Sequence, residues 1–277
     1  MRQRPADHQT LPYPKIRRWT AAAYRSVQRK PMLHGLIEVY VTHARAILRE
    51  HKARAGETLS FTAFLITCLA KAVDEHKAIQ GMRQGSKRLM VFDEVDVYTP
   101  VEHDLAGEKQ IYPYIVRAAN RKAFRTIHDE IRAAQASDIA EVVKGPRFLP
   151  PAFFGLALRF FWLAARVQPR LIKRSAGTVG ITAVGMFGRD AGWGVPCPFP
   201  VPLMLTVGGI GQRQATVDSP PAIQEYLCLT ISVDHDIVDG APAARFTARL
   251  KDLIESAYGL DGLENSAPAE KIAVATP

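Results

Sequence analysis

The chain has 277 residues, which suits one large domain or two small ones, and 47% apolar with 23% charged residues is an ordinary globular balance able to supply a core. The net charge of +9 comes from scattered basic residues, with no basic arm and no nucleic-acid-binding signature; most of them read as a solvated basic surface, and the functional alternative is attraction of a small polyanion such as a phosphate-bearing cofactor. No apolar run of membrane-spanning length and no secretory leader are visible, and three widely spaced cysteines make neither a disulfide framework nor a metal-ligand pattern, so a reducing cytoplasm is the expected compartment.

Residues 1–12 read as a loose polar arm, and a helix is expected from Ile16 to Arg29, stopped by Pro31. Leu33 to Val41 reads as a strand, with Thr42 as the N-cap of a following helix. Ser60 can cap the clearest helix of the chain. Phe61, Phe64, Leu65, Cys68, Leu69, Ala72 and Val73 recur at helical spacing and should bury one face, which makes Cys68 a packing thiol. Leu89 to Val101 carries Val91, Val95, Val97 and Val101 on one parity, a strand signal interrupted by acids. Ile111 to Val116 reads as another strand, and Pro113 places it at an edge or bulge. A helix follows over residues 123–136.

Residues 145–175 form an apolar, aromatic stretch with prolines at its start. Three roles suit it: a helix packed across a subunit interface, a lid over a substrate cavity, or an interfacial membrane anchor. Strands are expected over Thr178–Val184, Leu203–Val207 and Tyr226–Val233. A last helix over residues 243–257 buries Ala243, Phe246, Leu250, Leu253 and Ile254, and Gly259 suits its end. A tail follows. Strands and helices do not alternate regularly, so the expected class is α+β, a mixed sheet with helices packed on one face.

The chemistry concentrates in Ser232-Val-Asp-His-Asp-Ile-Val-Asp-Gly-Ala241. It places His235 at a strand end, with Asp239 four residues on and Gly240 directly after. A strand end can hold a general base still while leaving it open to substrate. His34, His103 and His128 lack such a context and read as surface or structural histidines. Ser232 and Asp234 read as strand-end residues with local hydrogen bonds, and Cys197 as a loop thiol between prolines.

The run from Leu229 to Phe246 closely resembles the signature of the catalytic domain of dihydrolipoyl acyltransferases, the cores of 2-oxo acid dehydrogenase complexes, whose fold chloramphenicol acetyltransferase shares. Three further segments are similar in the same order: Ser60 to Ile66 with its helix, Arg117 to Lys122, and Gly180-Ile-Thr-Ala-Val-Gly-Met-Phe-Gly188. The resemblance covers residues 13–258. It implies a single catalytic domain over 13–260, with flexible ends at 1–12 and 261–277 and an insertion at 145–175.

The family resemblance implies a homotrimer with a channel at each subunit interface, coenzyme A entering from one end and the acyl acceptor from the other. His235 is then the general base, and Thr182, usually a serine in the family, donates a hydrogen bond to the oxyanion from a neighbouring subunit. Asp239 braces the loop of the histidine, with Arg17 or Arg18 as partner. Coenzyme A or acyl-CoA is implied as co-substrate, with no metal and no lipoyl attachment in this chain. The sequence departs from the family at Asp236, where an arginine is usual, and has no lipoyl domain. Both features, with the insertion, point away from lipoamide as acceptor and leave a thiol, amine or hydroxyl. The alternatives are a trimeric scaffold, or a core component whose lipoyl domain comes from another chain.

Overall fold

Six strands build one mixed sheet in a computed structural model that describes residues 30–105, 108–137, 151–183, 190–214 and 223–264. In chain order the strands are β1 (Met32–Tyr40), β4 (Val97–Leu105), β5 (Glu108–Val116), β6 (Val179–Ala183), β7 (Leu203–Gln214) and β8 (Ile223–Asp234), and the short β2 (Met82–Gln84) and β3 (Arg88–Met90) pair as a separate hairpin. The sheet order is β1-β8-β7-β6-β4-β5. Strand β6 runs parallel to β4 and β7, and all other pairs are antiparallel. The helices are α1 (Thr42–Ala55), α2 (Phe61–Glu75), α3 (Phe124–Ala136), α4 (Pro151–Val167), α5 (Arg170–Ala176), α6 (Gly240–Glu255) and α7 (Asp261–Glu264).

The period-2 alternation decides which sheet face is covered. Val179, Ile181, Leu203, Leu205, Leu227, Leu229, Ile231 and Val233 lie on one parity and are buried against α2, α3 and α6 in one core. Helix α2 is buried nearly all round rather than on one face: Ile66, Thr67 and Ala70 are covered as well as the helical stripe. It is sandwiched between the sheet and its neighbours α3 and α6. Ser60 caps it, its hydroxyl accepting from the Ala63 amide at 3.2 Å. Cys68 is fully buried; its thiol donates to the Leu253 carbonyl and burial pushes its pKa up, so it packs and does not react.

The other face is covered differently. The segment 190–202 crosses it, with the Gly209 amide donating to the Gly192 carbonyl at 2.8 Å and the Trp193 indole to the Ile37 carbonyl at 3.2 Å. Gly208 and Gly209 sit at the bulge of β7, where a Cβ would collide with the backbone oxygens of Gly192 and Asp190. Helix α5 joins this layer through Ile172 and Ala176, which pack with Phe199, Val201 and Met204.

Several sequence expectations change. Thr42 is the first residue of α1, not its cap; its hydroxyl is taken by Glu225, accepting from that amide at 2.8 Å. The expected strand over Leu89 to Val101 is broken into β3 and the start of β4. Between them Asp96, only 3% exposed, accepts from Arg117 Nη1 at 2.8 Å and from the Ala118 amide at 2.9 Å, which turns the chain. Pro113 does lie on an edge strand, since β5 pairs with β4 alone among the described residues. Residues 261–264 are helical, with Leu263 against the core and its carbonyl accepting from Arg54, so the expected tail begins in packed structure. The helix expected over 16–29 lies outside the described residues.

Glu75 at the end of α2 ties that helix to α6 through a two-pronged pair with Arg249, Oε2 at 2.6 Å from Nε and Oε1 at 3.1 Å from Nη2. The Arg249 hydrogen bonds, aided by Lys71, hold the Glu75 carboxyl down at about 2 from 4.5. A depressed carboxyl stabilises the fold above its unfolded pKa and loses that contribution as pH falls. The urea midpoint of Arg249→Ala should therefore lie below wild type at pH 7, and the gap should close between about pH 4.5 and 2.

Candidate functional site

Strand β8 ends at Asp234, and the next residues fold into a tight turn. The Asp234 carbonyl accepts from the Ile237 amide at 3.0 Å and the Val238 amide at 3.1 Å. Its carboxylate, almost fully buried, takes Lys30 Nζ at 3.0 Å and the Asp236 amide at 3.1 Å. The His235 amide donates to the Pro31 carbonyl at 2.7 Å. The backbone of His235 is thus fixed from both sides, while 47% of its side chain stays open to solvent. This is a restrained, reachable imidazole, the arrangement a general base needs.

Asp239 stands at the N-cap position of α6, in extended conformation, and its carbonyl accepts from the Ala243 amide. Its carboxylate makes no cap bond, is 87% exposed, and lies 3.9 Å from His235 Nδ1. That distance is too long for a hydrogen bond. Arg17 and Arg18, the expected partners of Asp239, lie outside the described residues. Asp236 pairs with Arg83 of β2 at 3.1 Å, both about half exposed. An ion pair this open adds about 0–1 kcal/mol at most, so it shapes the surface beside His235 rather than holding the fold.

A cleft of about 470 Å³ opens next to this turn. Asp234, Asp236 and Ile237 from the turn, Met82 and Arg83 from β2, Trp162, Ala165 and Arg166 from α4, and Ile172 from α5 line it. A smaller hollow of about 290 Å³ lies under segment 190–202, lined by His34, Cys197, Phe199 and Met204. There His34 Nδ1 is bonded to Ser232 Oγ at 2.7 Å, so both the histidine and the serine have a long-range structural partner rather than a local one. His128 is also structural: it is buried, its Nδ1 accepts from the Ser60 amide at 3.0 Å, and burial lowers its pKa. Cys197 is exposed and free.

Thr182 is on β6, in register with Thr206 of β7, which is in register with Thr230 of β8. The three threonines face away from the helical layer, and the hydroxyls of Thr206 and Thr230 are buried without a partner among the described residues. Strand β4 pairs with β6 only at Val179 and Gly180, so among the described residues the β4-facing edge of β6 is open at Thr182. The structure does not bring Thr182 and His235 together within one chain. The threonine row is five residues before His235, about 17 Å along β8 at ~3.4 Å per residue, and β6 lies two strands away. Gly185 to Gly188, which carry part of the resemblance, lie outside the described residues.

Arg83, Trp162 and Arg166 escape sequence reasoning as site residues. Trp162 and Arg166 sit in the apolar insertion, where composition shows a helix but not its facing side. The pairing of Arg83 with Asp236 joins positions 153 apart in the chain, and no local pattern carries it.

The sequence model of the 2-oxoacid dehydrogenases acyltransferase (catalytic domain) family matches residues 5–140 and 168–260. The match leaves out 141–167, and so all of α4. The lipoamide acyltransferase component of the branched-chain alpha-keto acid dehydrogenase complex of Bacillus subtilis is 23% identical over 257 residues, 91% of this chain and 53% of that protein. The chain thus spans about half the length of this relative. Among solved structures, a probable dihydrolipoamide acetyltransferase from Listeria monocytogenes superposes with a TM-score of 0.66 at 20% identity, covering 95% of this chain and 99% of that one. A truncated catalytic core of the 2-oxoacid dehydrogenase multienzyme complex from Thermoplasma acidophilum does so with 0.65 at 22% identity, covering 91% and 100%. These similarities agree with the mixed-sheet α+β fold.

Proposed function

Because the chain belongs to the 2-oxoacid dehydrogenases acyltransferase (catalytic domain) family, we propose that it moves an acyl group between coenzyme A and a thiol, amine or hydroxyl acceptor. The observation that carries the reading is His235: backbone held on both sides, imidazole half exposed, cleft alongside. His235 takes the proton from the attacking thiol or hydroxyl. A thiol with a pKa near 8.5 is mostly protonated at neutral pH, so a positioned base raises the reactive thiolate fraction. The nucleophile adds to the thioester carbonyl, and the oxyanion of the tetrahedral adduct accepts a hydrogen bond from the Thr182 hydroxyl. Collapse expels the donor thiolate, which recovers the proton from the imidazolium. Asp239, 3.9 Å from Nδ1, stands on the side of the imidazole away from the transferred proton.

The separation of Thr182 from His235 within one chain supports a site shared between neighbouring subunits of a homotrimer. The α4 residues give the cleft a wall from the segment that the family match leaves out, which supports an acceptor other than lipoamide. A second reading is an acyltransferase-like scaffold, favoured by the apolar outer side of α4, where Phe160, Leu163 and Val167 are 62%, 59% and 66% exposed. No helix among the described residues is long and apolar enough to cross a membrane.

Ligand binding separates the two. Coenzyme A at a hundred times its Kd should stabilise an acyltransferase by about 2.7 kcal/mol, read as a rise in the thermal midpoint. A midpoint unmoved by saturating coenzyme A and acetyl-CoA alike would leave the scaffold.

A further inference from the structure

Of the three cations on the walls of the cleft, two are already neutralised: Lys30 by Asp234 at 3.0 Å and Arg83 by Asp236 at 3.1 Å. The third, Arg166, meets no carboxylate among the described residues. One turn earlier on the same helix, the indole Nε1 of Trp162 is buried and has no hydrogen-bond partner among the described residues. Residues four apart in a helix are neighbours on one side of it, and Trp162 and Arg166 both line the cleft. Their helix is fixed there, since the Arg166 carbonyl accepts from the Gly85 amide at 2.6 Å. Met82, Ala165, Ile172, Pro200, Pro202 and Ile237 make the remaining lining largely apolar.

We propose that the cleft binds an acyl acceptor made of an apolar chain ending in a carboxylate, held at the carboxylate by Arg166 and the Trp162 N–H. A buried donor without a partner is a loss that a ligand oxygen recovers, and guanidinium is the cation best matched to a planar two-oxygen anion. Arg166 is exposed, which sets the carboxylate at the mouth and the chain inward toward the turn of His235. A volume of about 470 Å³ suits a small molecule of this kind. The proposal rests on the acyl-transfer reading and names the acceptor class of that same site.

The test uses two probes of one carbon skeleton, dihydrolipoate with a carboxylate and dihydrolipoamide with a neutral amide, titrated calorimetrically into the full chain. Wild type should bind dihydrolipoate roughly ten-fold more tightly, the usual scale of one charge-assisted hydrogen bond. Arg166→Gln should lose the preference and keep its thermal midpoint, Trp162→Phe should bind dihydrolipoate several-fold more weakly, and Arg174→Gln, outside the cleft, should keep the preference. His235→Ala should also keep it, so binding is read apart from catalysis. Equal affinity of wild type for the two probes, or a preference that survives in Arg166→Gln, overturns the proposal. So does an Arg166→Gln that weakens coenzyme A instead, which would make the cleft the nucleotide's side. Should acyl transfer fail with every acceptor while the preference holds, only the acyl-transfer reading falls.

Discussion

His235→Ala should lower turnover with a short acyl-CoA and its acceptor by roughly 10²–10⁴-fold, the contribution of a positioned general base, and leave the fold in place. The second half of that statement follows from how the residue is held. The contact that fixes it is its own amide bonded to Pro31, which alanine retains. The side chain is half exposed and fills no part of the core, so its truncation creates no cavity. Thiol release measured beside the thermal midpoint checks both. A turnover equal to wild type would remove His235 from the chemistry. A loss of activity matched by a collapsed midpoint would show that the histidine is structural instead.

Thr182→Ala should lower turnover by roughly 10²–10³-fold, the cost of losing one oxyanion donor, while Thr182→Ser keeps most of it. Serine preserves the hydroxyl and removes only a methyl, so the pair separates hydrogen-bond donation from packing. The placement of the residue makes this a sharp comparison. Thr182 is partly buried on the sheet face away from the helical core, and the edge of β6 beside it is open among the described residues. A strand threonine with only a packing role would show a small effect in both variants. The measurement is turnover at saturating acyl-CoA with folding monitored in parallel.

How much of this is legible in the sequence depends on the range over which each feature is encoded. The turn at His235 is local: an alternating strand, a turn and an amphipathic helix in one continuous run, so residues 226–254 are readable in order. The Ser60 cap is local too. Helix α2 is only half legible, because the stripe from Phe61 to Val73 marks a buried side but not that the opposite side is also covered. The valine series before Val101 misleads, because Asp96 is committed to Arg117 and the Ala118 amide, partners more than 20 positions away, and the strand cannot run through it. The cleft is least legible. Its charge pairs join residues from distant segments, and in the insertion only the fold reveals that Trp162 and Ala165 turn inward while Phe160, Leu163 and Val167 turn outward. The cleft-covering role expected for 145–175 therefore fits the inner side of α4, and the outer side keeps an apolar surface available to a partner.

The proposed chemistry requires one site built from two subunits, with His235 from one and Thr182 from the next. Co-expressing His235→Ala and Thr182→Ala chains on separate tags and purifying the mixed assembly tests this directly. In a ring of identical subunits joined head to tail, random mixing leaves about a quarter of the sites with both wild-type residues, so about a quarter of wild-type activity should return although each variant alone is nearly inactive. Mixed assemblies that stay as inactive as either variant would contradict a shared site.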